Sequence, residues 1–205
     1  MELYIDDCPA ESPAADGQTL GVLVEGVKTR VAEQGRILVG ICCDGLDVTG
    51  EDYGDQLGRP VGEFRRIEMQ SAEPAVLVGQ ALDVADGLLG ESAAGCDEVV
   101  ALLSRGDTKL ALDRLGGCCK DWVQVHQAVC QALTLLGADA RNPQVDGEPF
   151  ARRLEVPAQR LRQIKESIIG RDYVLLADSL TYEFPEAVES WRSIIAALRE
   201  SRVRK

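Results

Sequence analysis

Cys119, His126 and Cys130 stand seven and four residues apart, which places them on one stripe of a helix together with Trp122. Two thiols and an imidazole on one face are soft ligands of the kind zinc takes, and a tetrahedral site needs a fourth. Cys96 is the expected fourth ligand, because an antiparallel neighbouring helix would carry it to the level of Leu115 to Cys119. No CxxC pair exists to reinforce a metal reading, and buried cysteines on an apolar stripe are an equally simple account. His126 is the single histidine, so multi-histidine metal chemistry is excluded and any Cys/His dyad must be built on it. The adjacent pairs Cys42-Cys43 and Cys118-Cys119 diverge on a strand or a helix, and neither closes an easy disulfide. A thiol switch at Cys119, beside Lys120, is the alternative use of these residues.

A second cluster is acidic: Asp44, Asp47, Glu51, Asp52 and Asp55, with Asp6-Asp7 able to join it in space. Oxygen ligands for calcium or magnesium have this composition, yet the spacing is not that of a calcium loop, and solvated turn carboxylates account for it. No Walker lysine follows a glycine pattern and no GxGxxG follows a strand, so no cofactor is implied.

The elements that must position these residues fall into two parts. In residues 1-71, Leu3-Tyr4-Ile5 reads as a strand, followed by turn or loop through Gly17. Thr19 caps a helix with the stripe Leu20, Leu23, Val24, Val27 and Val31, which Gly35 stops. Arg36 to Cys43 is a continuous apolar strand ending at Asp44-Gly45, a hairpin signal with Leu46-Asp47-Val48 as its return arm. Gly50 to Gly62 is loop with one helical turn, and Phe64 to Met69 is the last strand. The expected class is α+β, with a small βαββ-type sheet of three or four strands and one helix.

Residues 74-205 are helical text. Val78, Leu82, Ala85, Leu89, Cys96, Val99 and Leu103 mark a first helix, which Gly90 to Gly95 is expected to bend or break. Leu110, Leu115, Cys119, Trp122, His126, Val129 and Leu133 mark a second, weakened at Gly116-Gly117. After a loop from Gly137 to Gly147 containing Asn142-Pro143, Phe150 to Ile168 gives a third that Pro157 starts or kinks. Val174 to Leu198 gives a fourth, kinked by Pro185. Short links make an antiparallel four-helix bundle the expected packing.

Charge and composition bound the function. The 205 residues carry a net charge of -12, which repels polyanions, so neither nucleic acid nor membrane is an expected partner. No apolar run spans a bilayer, the acidic N-terminus lacks a secretory pattern, and seven cysteines, an odd count, read as reduced thiols in the cytoplasm.

Four of the six aromatics beyond Glu73, namely Tyr173, Tyr182, Phe184 and Trp191, crowd the terminal helix beside Asp172, Asp178, Glu183 and Glu186. Aromatics next to acids can wall a groove for a partner helix, or equally be core and rim of the bundle. This Trp-containing, acidic and apolar stripe resembles the last helix of flagellin export chaperones, which are small acidic helical bundles. The resemblance is confined to the terminal helix and implies chaperone-like binding of a partner. The expected function is a non-catalytic, adaptor or chaperone-like module that binds a protein or a second copy of itself. The alternative is a metal- or thiol-dependent sensor or enzyme.

Overall fold

A computed structural model describes residues 1–11, 17–50, 52–137, 144–145 and 147–203. The Asn142-Pro143 loop, Glu51 of the acidic cluster, part of the segment leading to Gly17 and the last two residues of the chain lie outside the described residues. The chain divides into two compact units, Met1–Val76 and Leu77–Lys205.

The first unit is a five-stranded sheet with a helix on one face. Its strands are β1 (Glu2–Ile5), β2 (Cys8–Ala10), β3 (Ile37–Cys43), β4 (Leu46–Asp47) and β5 (Arg66–Ala72), in the order β2-β1-β5-β3-β4. β1 runs parallel to β5 and every other pair is antiparallel. Two hairpins share one device. Asp44-Gly45 turns with φ of 51° and 84°, as its sequence requires, and Asp6-Asp7 turns with 50° and 60°. Asp is one of the few side chains that tolerate this left-handed region. The second turn makes β2 a strand where turn or loop is expected, and the sheet therefore has five strands rather than three or four. Both edge strands are short, three and two residues, which limits pairing with foreign strands.

Helix α1 (Leu20–Glu33) starts at Thr19 and ends before Gly35, whose φ is +70°. Its stripe Leu20, Leu23, Val24, Val27 and Val31 is buried with Leu3, Ile41, Cys43, Ile67 and Met69 of the sheet. Each such side chain contributes about 1.5–3 kcal/mol by leaving water. The short helix α2 (Tyr53–Gly58) and a 3₁₀ turn (Val61–Glu63) fill the connection to β5.

Asp6 ties the first hairpin to β5. Its carboxylate accepts hydrogen bonds from the Ser71 N–H and hydroxyl, both at 2.6 Å, and lies 3.3 Å from the Arg36 guanidinium. The Ser71 bonds first, and Arg36 after them, hold its carboxyl below the usual range. A depressed folded value means stability that is present above the unfolded value and is lost as pH falls through the folded one. Asp6→Asn is therefore expected to destabilise the protein at pH 7 by about 0.5 kcal/mol, the scale of a screened, half-exposed pair. The difference should close as pH falls below the usual carboxylate range, a comparison urea titrations at neutral and acidic pH make.

The second unit is helical. Among the described residues, seven helical segments follow the sheet: α3 (Pro74–Ser104), α4 (Thr108–Leu135), α5 (Phe150–Arg153), α6 (Glu155–Gly170), α7 (Tyr173–Asp178), a π-helical turn (Ser179–Glu183) and α8 (Phe184–Val203). A two-residue hairpin pair, β6 (Gln144–Val145) and β7 (Glu148–Pro149), precedes α5. One core joins Leu82, Leu89 and Val99 of α3, Leu115, Val125 and Val129 of α4, Ile164 of α6, Leu176 of α7, and Ile194, Ile195 and Leu198 of α8. Ion pairs lace its surface: Arg114–Glu98 at 2.6 Å, Arg199–Asp83 at 2.7 Å, and Arg160 with both Glu183 and Glu186.

The prolines act where expected. Pro157 sits in the first turn of α6, where its missing N–H is among those the helix cannot use, and Leu154 separates α5 from α6. Just before Pro185 the ladder widens to i→i+5, with the Phe184 N–H bonded to the Ser179 carbonyl. The glycines do not break α3, which runs 31 residues without interruption. Its buried stripe outweighs the propensity cost of about 1 kcal/mol per glycine. Gly87 and Gly90 have open space where a Cβ would stand, so Gly87→Ala and Gly90→Ala should each stabilise the protein by about 0.5–1 kcal/mol in urea titration. At Gly95 a Cβ would stand 2.6 Å from the Cys118 sulfur and 2.7 Å from the Arg114 guanidinium, and the same change there should forfeit that gain.

Candidate functional site: an apolar groove of the helical unit

The outer side of α4 and α6 builds a site at the margin of the helical core, sharing Trp122 and Trp191 with it. On α4, Cys119, Trp122, Val123 and His126 follow the i, i+3, i+4, i+7 spacing, as do Leu154, Pro157, Ala158 and Leu161 leading through α6. With Trp191 of α8 these residues line an apolar groove of about 410 Å³, within the size range of ligand pockets. Val123 at its rim remains 56% exposed.

The floor is rigid. The Trp122 ring stacks on Phe184 with centroids 4.3 Å apart and planes 5° from parallel. Its indole nitrogen is buried with no hydrogen-bond partner. His126 lies near parallel to Phe150 at 6.3 Å and edge-on to Trp191 at 5.9 Å. Its Nε2 is 3.6 Å from the Cys130 sulfur. Burial pushes the Cys130 and Cys119 thiols up, so both are neutral and poor nucleophiles near neutral pH.

Three cations stand near the groove on α4 and α6. Lys120 stands one turn before Val123, and Arg162 and Lys165 stand one turn beyond Ala158 and Leu161; all three are exposed. None of the three has an ion-pair partner among the described residues. Carboxylates stand close to them in sequence: Asp121 after Lys120, Glu155 one turn before Ala158, and Glu166 one turn beyond Arg162 and next to Lys165.

The residues singled out in the sequence divide. Of the four aromatics, Trp191 lines the groove and is 5% exposed, Phe184 is core at 2%, Tyr173 packs half-buried on the core, and Tyr182 stands 78% exposed on the π-helical turn. They do not form one wall. Of the proposed metal ligands, Cys119 and His126 share the groove and Cys130 touches His126. Cys96 does not join them: it is buried in the core with Cys118, which lies a step of about 100° around α4 from Cys119. Among the described residues no three His, Cys, Asp or Glu side chains are grouped to hold a metal ion. Val123, Leu154, Pro157, Ala158 and Leu161 were missed as site residues. Their signal was an apolar stripe wider than one core contact needs.

In the first unit the acids hold the backbone. Asp44 accepts from the Arg65 and Arg66 N–H groups at 2.9 and 2.8 Å. Asp44, Asp47 and Asp52 border a cavity of about 350 Å³ with Cys43, Gln56, Arg59 and Phe64, where the Arg59 guanidinium lies 4.5 Å over the Phe64 ring. Burial raises the Cys43 thiol to about 11, leaving it protonated.

No protein-family model matches this chain, and no curated protein or solved structure matches it significantly. Among the described residues no helix is long and apolar enough to cross a membrane.

Proposed function

We propose that the chain is a non-catalytic protein-interaction module of the cytoplasm, adaptor or chaperone-like, whose helical unit docks one apolar helix of another protein. In this reading α3, α4, α5 with α6, and α7 with α8 act as four antiparallel rods of a bundle, and the groove lined by α4, α6 and Trp191 is the docking surface. The observation that carries it is the groove: a stacked aromatic floor, apolar walls and part-exposed Val123 and Ala158 at its mouth. Anchors from one face of a partner helix fit such a surface. Lys120, Arg162 and Lys165 select the partner's chemistry, favouring acidic residues beside the apolar anchors. A second copy is acidic too, but the occupant proposed is a different protein, and self-association is an outcome of the test. Nucleic acid remains a poor partner at a net charge of -12.

The test places a photo-crosslinking residue at Ala158 in the full chain, with Tyr182 as the control position. Support is a product at Ala158, absent at Tyr182, that maps to an apolar, acid-flanked helical segment of one other protein. Products that map only to a second copy, or equally at both positions, overturn the reading.

A further inference from the structure

The two walls of the groove run antiparallel. His126 of α4 lies against Phe150, which precedes α6, with ring centroids 6.3 Å apart. Trp122, one turn earlier on α4, stacks on Phe184, beside Glu183 and Glu186, which both hold Arg160 of α6. The path from His126 back to Trp122 therefore runs from the start of α6 to its middle, and Cys119 lies toward Leu161. Both walls pack on α8 more closely than on each other, so the groove is a slot between two helices with Trp191 of a third in its lining. Each wall, Cys119 to His126 and Leu154 to Leu161, rises through seven residues, about 10 Å or two turns.

The same register sorts the charges. Lys120 follows Cys119, Arg162 follows Leu161, and Lys165 continues the Leu154, Ala158, Leu161 stripe by one turn. Three cations without ion-pair partners among the described residues therefore gather at one end of the slot, while Glu155 stands at the other, next to Leu154. Asp121 and Glu166 lie one residue farther round their helices, and so farther from the groove stripe than Lys120 and Lys165. We infer that the segment docking here is an amphipathic helix with three apolar anchors at i, i+3 or i+4, and i+7, and with Asp or Glu in the turn beyond one end of that stripe, set against Lys120, Arg162 and Lys165. This rests on the docking reading above and adds the partner's reach, spacing and charge. Two turns of wall cover two turns of helix: a fourth anchor projects past the slot, and fewer than three leave part of the walls in water. Carboxylates of the partner meet opposite charge at the Lys165 end and like charge at the Glu155 end, which fixes the end they occupy.

The experiment offers a display library of helical peptides to the full chain and to its Ala158→Glu variant, and keeps those that bind only the former. The peptides kept should share the three-anchor spacing and carry Asp or Glu in the turn beyond one end of it. Lys165→Glu should weaken them at least about fivefold, and changing the peptide's acid to Lys should restore binding to that variant. Groove-dependent peptides with anchors at i, i+2, or with no carboxylate beyond either end, overturn this inference and leave the docking reading standing, as does binding that Lys165→Glu leaves unchanged. A library in which no peptide distinguishes Ala158→Glu from wild type overturns both.

Discussion

Phe184→Ala should destabilise the helical unit by about 3–5 kcal/mol, the range for deleting a buried aromatic ring. Phe184 is 2% exposed and carries the Trp122 ring at 4.3 Å, so its loss opens a cavity under the groove and removes a stacking contact worth about 0.5–1.5 kcal/mol beyond its area. It also follows the π-helical turn directly, where its N–H bonds Ser179, leaving the neighbouring backbone little room to collapse into the void. Tyr182→Ala, two residues earlier, removes a ring that is 78% exposed and should change stability by no more than about 0.5 kcal/mol. Urea titrations followed by circular dichroism separate the two. Equal effects would mean that the terminal helix is rotated from the packing described, with Tyr182 rather than Phe184 against α4.

The second large effect concerns docking rather than folding. Val123 and Ala158 stand at the mouth of the groove with part of their surface in water, so Val123→Glu and Ala158→Glu should leave stability within about 0.5 kcal/mol of wild type. Each places a carboxylate where a partner's apolar anchor must sit, and a charge buried there without a partner costs several kcal/mol. Affinity for the segment captured at Ala158 should fall at least about tenfold for either change, equivalent to 1.4 kcal/mol. Reversing Arg162 or Lys165 to Glu acts on encounter instead, slowing association and weakening its dependence on salt. A carboxylate at position 158 that leaves both affinity and stability unchanged would place the partner elsewhere.

Legibility in the sequence followed the length scale of each signal. The α1 stripe and its Thr19 and Gly35 boundaries, and the Asp44-Gly45 turn, are local patterns with local causes, and they fold as written. Strand β2 was hidden because its turn uses two consecutive Asp residues and its second residue is Pro9, both of which read as loop. The continuity of α3 depends on packing partners far along the chain, which no count of glycines contains. The same holds for the site. Cys119, Trp122, His126 and Trp191 were visible as chemistry-bearing side chains, but their use as groove lining emerges only when α6 supplies Leu154, Pro157, Ala158 and Leu161. Cys96 is expected near the level of Leu115 to Cys119 and lies in the core with Cys118, not in the groove with Cys119. One residue of register, about 100° of helix, separates a metal-ligand reading from core packing.

The most direct measurement is the affinity of the Ala158-crosslinked partner segment for the full chain, by fluorescence anisotropy at low and high salt, against Ala158→Glu. The groove reading requires binding to wild type that salt weakens and that the variant loses by tenfold or more while keeping its urea midpoint. Binding that the variant retains at full strength, or that salt leaves untouched, contradicts it.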